Sequence, residues 1–299
     1  MGKYRAQHYI PQFYLKKYLD KTVVPPYEPY LWVHTPDDQP KAKAPKNVAH
    51  GNGYYNVRTD DGEVSQELEH AFSLFEGEAG KILHNITINN KSITIHEKAL
   101  LSEFIYYMHT RVPNFRENVN RFTSDISKMI MQVASAHPEY LHGVLKEVDR
   151  LNGEENDHDI DGLIEFIQSD RYTIEVPQER SIQLMIDLAE KISEVIFNMR
   201  WEFLIAPSGV YFVTSDNPVV LLNPKNTSNF FGDGFRSSPS VEMTFPLSPK
   251  CCLLGTWPKG KERYKLVTSE RVRAINLRTC NSSSKHVYSC TKVLQLPRQ

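Results

Sequence analysis

Apolar side chains recur every three to four residues from about position 65 to about 200, and the period then becomes extended, so the chain reads as helices followed by strands. Leu68, Phe72, Phe75, Ala79 and Leu83 share one helical face. Leu100, Leu101, Phe104, Ile105 and Met108 share the next, which Pro113 ends soon after Arg111. Ile126, Met129, Ile130 and Val133 mark a third helix, and Leu141, Leu145, Val148 and Leu151 a fourth, opened by Pro138. A shorter helix carries Leu163, Ile164 and Ile167. A long one runs from about Pro177 to Arg200 with Ile182, Met185, Ile186, Ala189, Ile192, Ile196 and Met199 turned inward. Beyond Trp201, WEFLIAP and VYFVTSD read as a hairpin across Ser208 and Gly209, and PVVLLNP, VEMTFPL and KCCLLGTW as further strands. A late helix near Ser269 to Arg278 and a last strand, HVYSCTKVLQL, complete the pattern.

The front of the chain differs. Pro11 suits a first helical position ahead of the stripe Tyr14, Leu15, Tyr18 and Leu19, and a proline-dense stretch from Val23 to Gly53 holds one strand at Tyr30 to His34. Helices then strands without strict alternation predicts an α+β fold. An N-terminal extended segment and helical region pack on a C-terminal, mostly antiparallel sheet. The whole is expected as a single compact unit over 1–299, divided into signature helix and extended segment (1–64), helical region (65–200) and sheet region (201–299).

Charge adds little at the level of the whole molecule. Lys and Arg total 35 against 36 Asp and Glu, so no global field draws the chain to nucleic acid or to an anionic membrane. A local patch of Lys3, Arg5, Lys16, Lys17, Lys41, Lys43 and Lys46 remains to be weighed against ordinary solvated lysines. Cys251, Cys252, Cys280 and Cys290 have no CxxC spacing. Adjacent Cys251 and Cys252 should point to opposite faces of a strand as free buried thiols, which with the lack of a membrane span points to the cytoplasm.

Two segments carry the strongest local signals: His8-Tyr9-Ile10-Pro11-Gln12-Phe13-Tyr14-Leu15, and Ser215-Asp216-Asn217-Pro218 at a strand end. With Phe245-Pro246-Leu247-Ser248-Pro249, the helical glutamates Glu69, Glu76 and Glu78, and Arg111-Val112-Pro113, they resemble a widespread, largely bacterial family of unknown function, over nearly the whole chain. The resemblance implies positions to examine and no activity.

The chemistry is argued from the residues. His8 precedes the helix that Pro11 is expected to begin, where free N–H groups favour an anion and an imidazole changes protonation near neutral pH. The competing reading buries it against Tyr54, Tyr55 or Trp32 to fix the entry to the helix. Asp216, at the end of VYFVT, is placed to act as base or cation ligand, against an Asx turn that starts a loop. Glu69 and Glu76, seven residues apart, fall on nearly the same helical face. Arg111 can clamp a phosphate or form a buried pair with one of those glutamates.

Asp157 to Gly162 begins like a calcium loop, but Gln168 stands where the bidentate glutamate should fall, and the acidic run also works as a helix cap. No P-loop, HExxH, GxSxG or GxGxxG is present. The preferred expectation is a metal-assisted phosphodiester hydrolase, a nuclease in its specific form. His8, Asp216 and Glu76 are its catalytic set, Asp216 and Glu76 its ligands for Mg²⁺ or Mn²⁺, and Gln12, Arg111 and Asn217 its substrate contacts. Its partner is a nucleic acid or other phosphodiester, with no membrane. The alternative is a non-enzymatic ligand- or partner-binding module in which the signature residues are structural.

Overall fold

The computed structural model describes residues 6–58, 64–65, 67–224, 234–235, 238–258 and 260–297, and its elements run in the order the periodicity predicts. Short pieces come first: β1 (Ala6–His8), α1 (Gln12–Leu15) continued by one 3-10 turn (Lys16–Tyr18), β2 (Leu31–His34), β3 (Lys41–Lys43), β4 (His50–Asn52), β5 (Val57–Arg58) and β6 (Val64–Ser65). The helices follow: α2 (Glu67–Asn89), α3 (Ile95–Thr110), α4 (Pro113–Ser135), α5 (Pro138–Asn152), α6 (Ile160–Gln168), α7 (Gln178–Asp187) and α8 (Ala189–Asn198). The rest is β7 (Arg200–Ile205), β8 (Thr214–Ser215), β9 (Val220–Leu222), β10 (Glu242–Ser248), β11 (Cys251–Thr256), β12 (Arg263–Leu266), α9 (Ser269–Ser282) and β13 (Val287–Ser289). This is an α+β fold with mostly antiparallel strands. Among the described residues no helix is long and apolar enough to cross a membrane.

The chain packs as two compact units, one formed by residues up to Phe115 together with those from Ile182 onward, the other by Arg116–Ser181. The helical region expected over 65–200 is therefore shared between them.

In the first unit a five-stranded sheet has the order β12-β7-β11-β10-β9, and a four-stranded sheet the order β3-β2-β13-β8. Only β12 with β7 is parallel within them. The hairpin expected from WEFLIAP and VYFVTSD does not form. β7 pairs with β11 and β12, whereas β8 pairs with β13. The connecting stretch is turned away from β7 when Ala206 N–H donates to Lys250 O at 3.0 Å and Phe212 N–H to Pro249 O at 2.8 Å, so the second half joins the other sheet. Cys251 faces the larger core with Phe203 and Phe245, and Cys252 a smaller one with Leu204, Phe212 and Ile275, as alternation along a strand requires. All four cysteines are free.

Local chemistry sets the helix ends. Thr94 and Glu97 form a reciprocal capping box on α3, and Thr268 accepts from Arg271 N–H at the start of α9. The expected long helix is two, α7 and α8, parted at Leu188, with Ile196 and Met199 still buried. Pro11 occupies the N-cap of α1 and not its first turn, and α1 is a single turn before the 3-10 segment. So short a helix offers little dipole.

The second unit holds most of α4, with α5 and α6. Asp159 accepts from Gly162 N–H at 2.9 Å and caps α6. A Cβ on Gly162 would press on Asp159 Oδ2, so a side chain there would make the capping carboxylate shift. Asp149 accepts from Asn156 at 3.0 Å and bonds His158 at 2.7 Å. The acidic run thus serves its helix. The apolar faces expected to point inward on α4 and α5 are only partly covered: Leu141 is buried, but Met129, Ile130, Val133 and Leu151 are exposed. A helical unit of this size has too little second layer to cover both faces.

Candidate functional site

α2 presents two faces. Phe72, Ala79, Leu83 and Ile86 go into the core, while Glu69, Ser73, Glu76, Gly77, Gly80, Lys81 and His84 line an open cleft of 860 Å³. Its other walls come from His8, Gln12, Phe13 and Lys17 at the front of the chain, and from Tyr55 and Arg111. Four of the expected site residues, His8, Gln12, Glu76 and Arg111, therefore share one cleft with Glu69. Asp216 and Asn217 are not among the residues that line it.

The front segment is held by its aromatics. Tyr14 Oη bonds Thr214 Oγ1 at 2.7 Å, Tyr18 Oη donates to Pro246 O at 2.8 Å, and the Tyr14 ring stacks on Phe245 with centroids 5.5 Å apart. These rings are fully buried and fix α1 on β10. Gln7, 2 % exposed, donates to Glu69 Oε2 at 2.8 Å and to Asn56 Oδ1 at 3.1 Å, and accepts from Tyr55 N–H at 2.7 Å. One amide thereby orients the start of α2.

Arg111 ends α3 and is 4 % exposed. Its Nε donates to Tyr55 Oη at 2.9 Å, Nη1 to Glu76 Oε1 at 2.6 Å and Nη2 to His8 O at 2.9 Å, with the guanidinium 4.1 Å above the Phe72 ring. Burial pulls its pKa down, but Tyr55 and Glu76 more than offset this and hold it above its ordinary value. Arg111 thus makes the buried pair with a helical glutamate that was weighed beside a phosphate clamp.

What remains on the cleft walls is chemically specific. Glu69 is tied through Oε2 and Glu76 through Oε1, so each carboxylate is fixed by one oxygen and, among the described residues, keeps the other. His8 is the last residue of β1, opposite His50, with ring centroids 5.3 Å apart. Burial and then His50 lower its pKa, and its Nε2 is shielded without a hydrogen-bond partner among the described residues. Burial also lowers the pKa of Lys17, whose Nζ reaches only Thr87 Oγ1 at 3.4 Å. Gly77 leaves open space where a side chain would stand, while Gly80 admits the edge of Phe13 at 3.4 Å.

Asp216 answers to a different account. Its Oδ1 accepts from Ser284 N–H at 2.9 Å, and its Oδ2 from Lys285 N–H and His286 N–H, both at 2.8 Å. It is 2 % exposed. Burial pushes its carboxyl pKa up, against the pull of those three N–H groups. Asn217 Nδ2 donates to Ser282 O at 2.9 Å, so the SDNP segment clamps the exit of α9. The local loop turn is made by Ser215, whose Oγ donates to Asn217 O at 2.8 Å. No cluster of three or more His, Cys, Asp or Glu placed to hold a metal ion occurs among the described residues, so Asp216 and Glu76 do not form part of one.

Sequence reasoning did not single out Gln7, Lys81 or His84, and named Lys17 only in the basic patch and Tyr55 only as packing for His8. The two glycines inside α2, flanked by polar residues at helical spacing, were the available signal, since glycine in a helix costs about 1 kcal/mol against alanine and so asks for a reason.

Residues 6–293 match the family model described as Protein of unknown function (DUF4238), and the chain belongs to that family. No curated protein and no solved structure matches it.

Proposed function

We propose that the cleft along α2 binds a phosphodiester-bearing ligand, with single-stranded nucleic acid as the partner to test first. The observation that carries this reading is the division of the cleft. Glu69 and Glu76 are pre-oriented through one oxygen each, while Lys17 and His84, with Lys81 in an exposed pair with Glu78, supply cationic and imidazole groups farther along the same walls. A phosphate meets the second group, and hydroxyl or amino donors of the same ligand meet the carboxylates and Gln12. On this reading the signature residues Tyr14, Arg111 and Asp216 build and brace the cleft. A cytoplasmic setting belongs to the same proposal and is supported by the four free thiols.

The test is fluorescence anisotropy of labelled RNA, single-stranded DNA and duplex DNA at low salt. The variant Gly77→Trp projects a ring over the cleft from an exposed helical position where an added Cβ meets nothing within 4 Å. At least tenfold weaker binding is expected for Gly77→Trp. Absence of binding by all three nucleic acids, or binding indifferent to Gly77→Trp, would refute the proposal.

Hydrolysis in the same cleft is a second reading, favoured by His8. Burial holds its imidazole toward the neutral form at the cleft wall, and a ring shift on ligand entry would bring the Nε2, shielded here, to the substrate. Incubating the same nucleic acids with Mg²⁺, Mn²⁺ or EDTA separates metal-assisted from metal-independent cleavage. Intact substrate in all three arms, or cleavage that survives His8→Ala, leaves binding alone.

A further inference from the structure

A second cavity, of 680 Å³, adjoins the cleft and shares Lys17 and His84 with it. Lys16, Lys17, Lys21, Lys250 and Lys292 surround it, and Leu19, Ile88, Tyr211 and Pro249 give it an apolar lining. In a chain of net charge −1, five lysines about one hollow are a local concentration of charge.

Their partners sharpen the point. Among the described residues, lysine ion pairs occur at Lys41, Lys46, Lys81, Lys98 and Lys128, and none of these lines the cavity. Asp20, the one acidic residue of the lining, is already occupied: Oδ1 accepts from Thr22 N–H and Oγ1, and Oδ2 from Trp32 Nε1. Lys250 donates to Pro207 O and Val210 O and lies over the Tyr211 ring, so it is fixed in place with its charge uncancelled. Lys17 is half-buried and, among the described residues, forms no ion pair. Ile88, on the same wall as Thr87, is 64 % exposed, an apolar surface that water covers poorly.

We propose that this cavity is a binding site for an anionic amphiphile, a molecule with an apolar body and a phosphate head. The body lies against Leu19, Ile88, Pro249 and the lysine stems, and the head is received by the unpaired ammonium groups at the rim. Charge alone would attract any polyanion. The apolar lining demands more than charge, and the lysines demand more than an alkyl chain.

Three probes, all below their aggregation concentrations, decide it by isothermal titration calorimetry on the full chain: dodecyl phosphate, dodecanol and inorganic pyrophosphate. Dodecyl phosphate is expected to bind at least tenfold tighter than either of the others. The double variant Lys16→Glu, Lys21→Glu and the single variant Ile88→Glu change exposed positions, keep the fold, and are each expected to weaken it at least tenfold. Gly77→Trp, which closes only the first cleft, leaves it unchanged, so failure here and failure of the nucleic-acid reading are distinguishable. Equal affinity for pyrophosphate, or affinity for dodecyl phosphate that ignores both the lysine and the Ile88 variants, would overturn the assignment.

Discussion

At the front of the chain His8 keeps Nε2 unmatched in the wall of an open cleft, whereas in the back half Asp216 has both carboxylate oxygens filled by three backbone N–H groups. In the sequence both were candidates, His8 just ahead of an expected helix and Asp216 at the end of an expected strand. Their difference lies in what the neighbouring backbone asks of them. Residues 284–286 leave α9 with free donors that Asp216 satisfies, while the ring at His8 is set beside a face of α2 that glycine keeps open. A buried polar group with every partner supplied serves the fold, and one with a partner missing at the wall of a cleft marks where a ligand can complete the set.

The contrast can be broken at its stable end first. Asp216→Ala strips three charge-assisted bonds and leaves buried N–H groups unmet, so roughly 3 to 5 kcal/mol should be lost in urea unfolding, with an unchanged m-value. A loss below about 1 kcal/mol would mean that water replaces the carboxylate with ease. Arg111→Met comes next. It removes the guanidinium that joins Tyr55, Glu76 and the His8 carbonyl, at a cost of about 3 kcal/mol, and frees the Glu76 carboxylate. If Glu76→Gln in the Arg111→Met background restores stability, the damage is the unpaired charge. If it does not, the lost hydrogen bonds dominate.

Acid provides a further comparison, between His8 and His109. Burial lowers the pKa of His109 to about 4, and its Nδ1 is shielded beside Phe235 with no partner among the described residues. Because the folded-state pKa lies below the unfolded value of 6.5, the unfolded chain takes up the proton first. Stability should therefore fall as pH drops from about 6.5 toward about 4, by about 2 to 3 kcal/mol from this residue. His109→Gln should flatten that slope in melts taken across the window, and an unaltered slope would point elsewhere. The smallest effect is expected at His8 itself: His8→Ala should cost about 1 kcal/mol, since ring packing on His50 and the ring's hydrogen bonding to the Pro45 and Lys46 backbone are lost while no charged partner is stranded. Its ligand binding should nonetheless weaken severalfold in the anisotropy assay.

How much was legible in the sequence follows from the range of each interaction. The stripe on α2 and the alternation at Cys251 and Cys252 are local, and the structure places them as the periodicity predicts. The break at Leu188 was not legible, because Ile182 to Met199 keeps one apolar period across it. Nor was the parting of β7 from β8, which depends on hydrogen bonds to Lys250 and Pro249 some forty residues onward. At the site, Glu69 and Glu76 could be placed on one face by counting. The roles of Arg111 could not, since Tyr55 and His8 are 56 and 103 residues away. Nor could the partners of Asp216, which lie 68 to 70 residues downstream.

The most direct test is the imidazole of His8, followed by nitrogen-15 NMR with assignment from the His8→Ala spectrum, while a single-stranded oligonucleotide is titrated in at neutral pH. A free, depressed-pKa histidine in the binding wall should show a saturable change at Nε2, with its pKa rising as phosphate charge approaches. An Nε2 signal and a pKa that stay fixed while the oligonucleotide saturates would contradict the account.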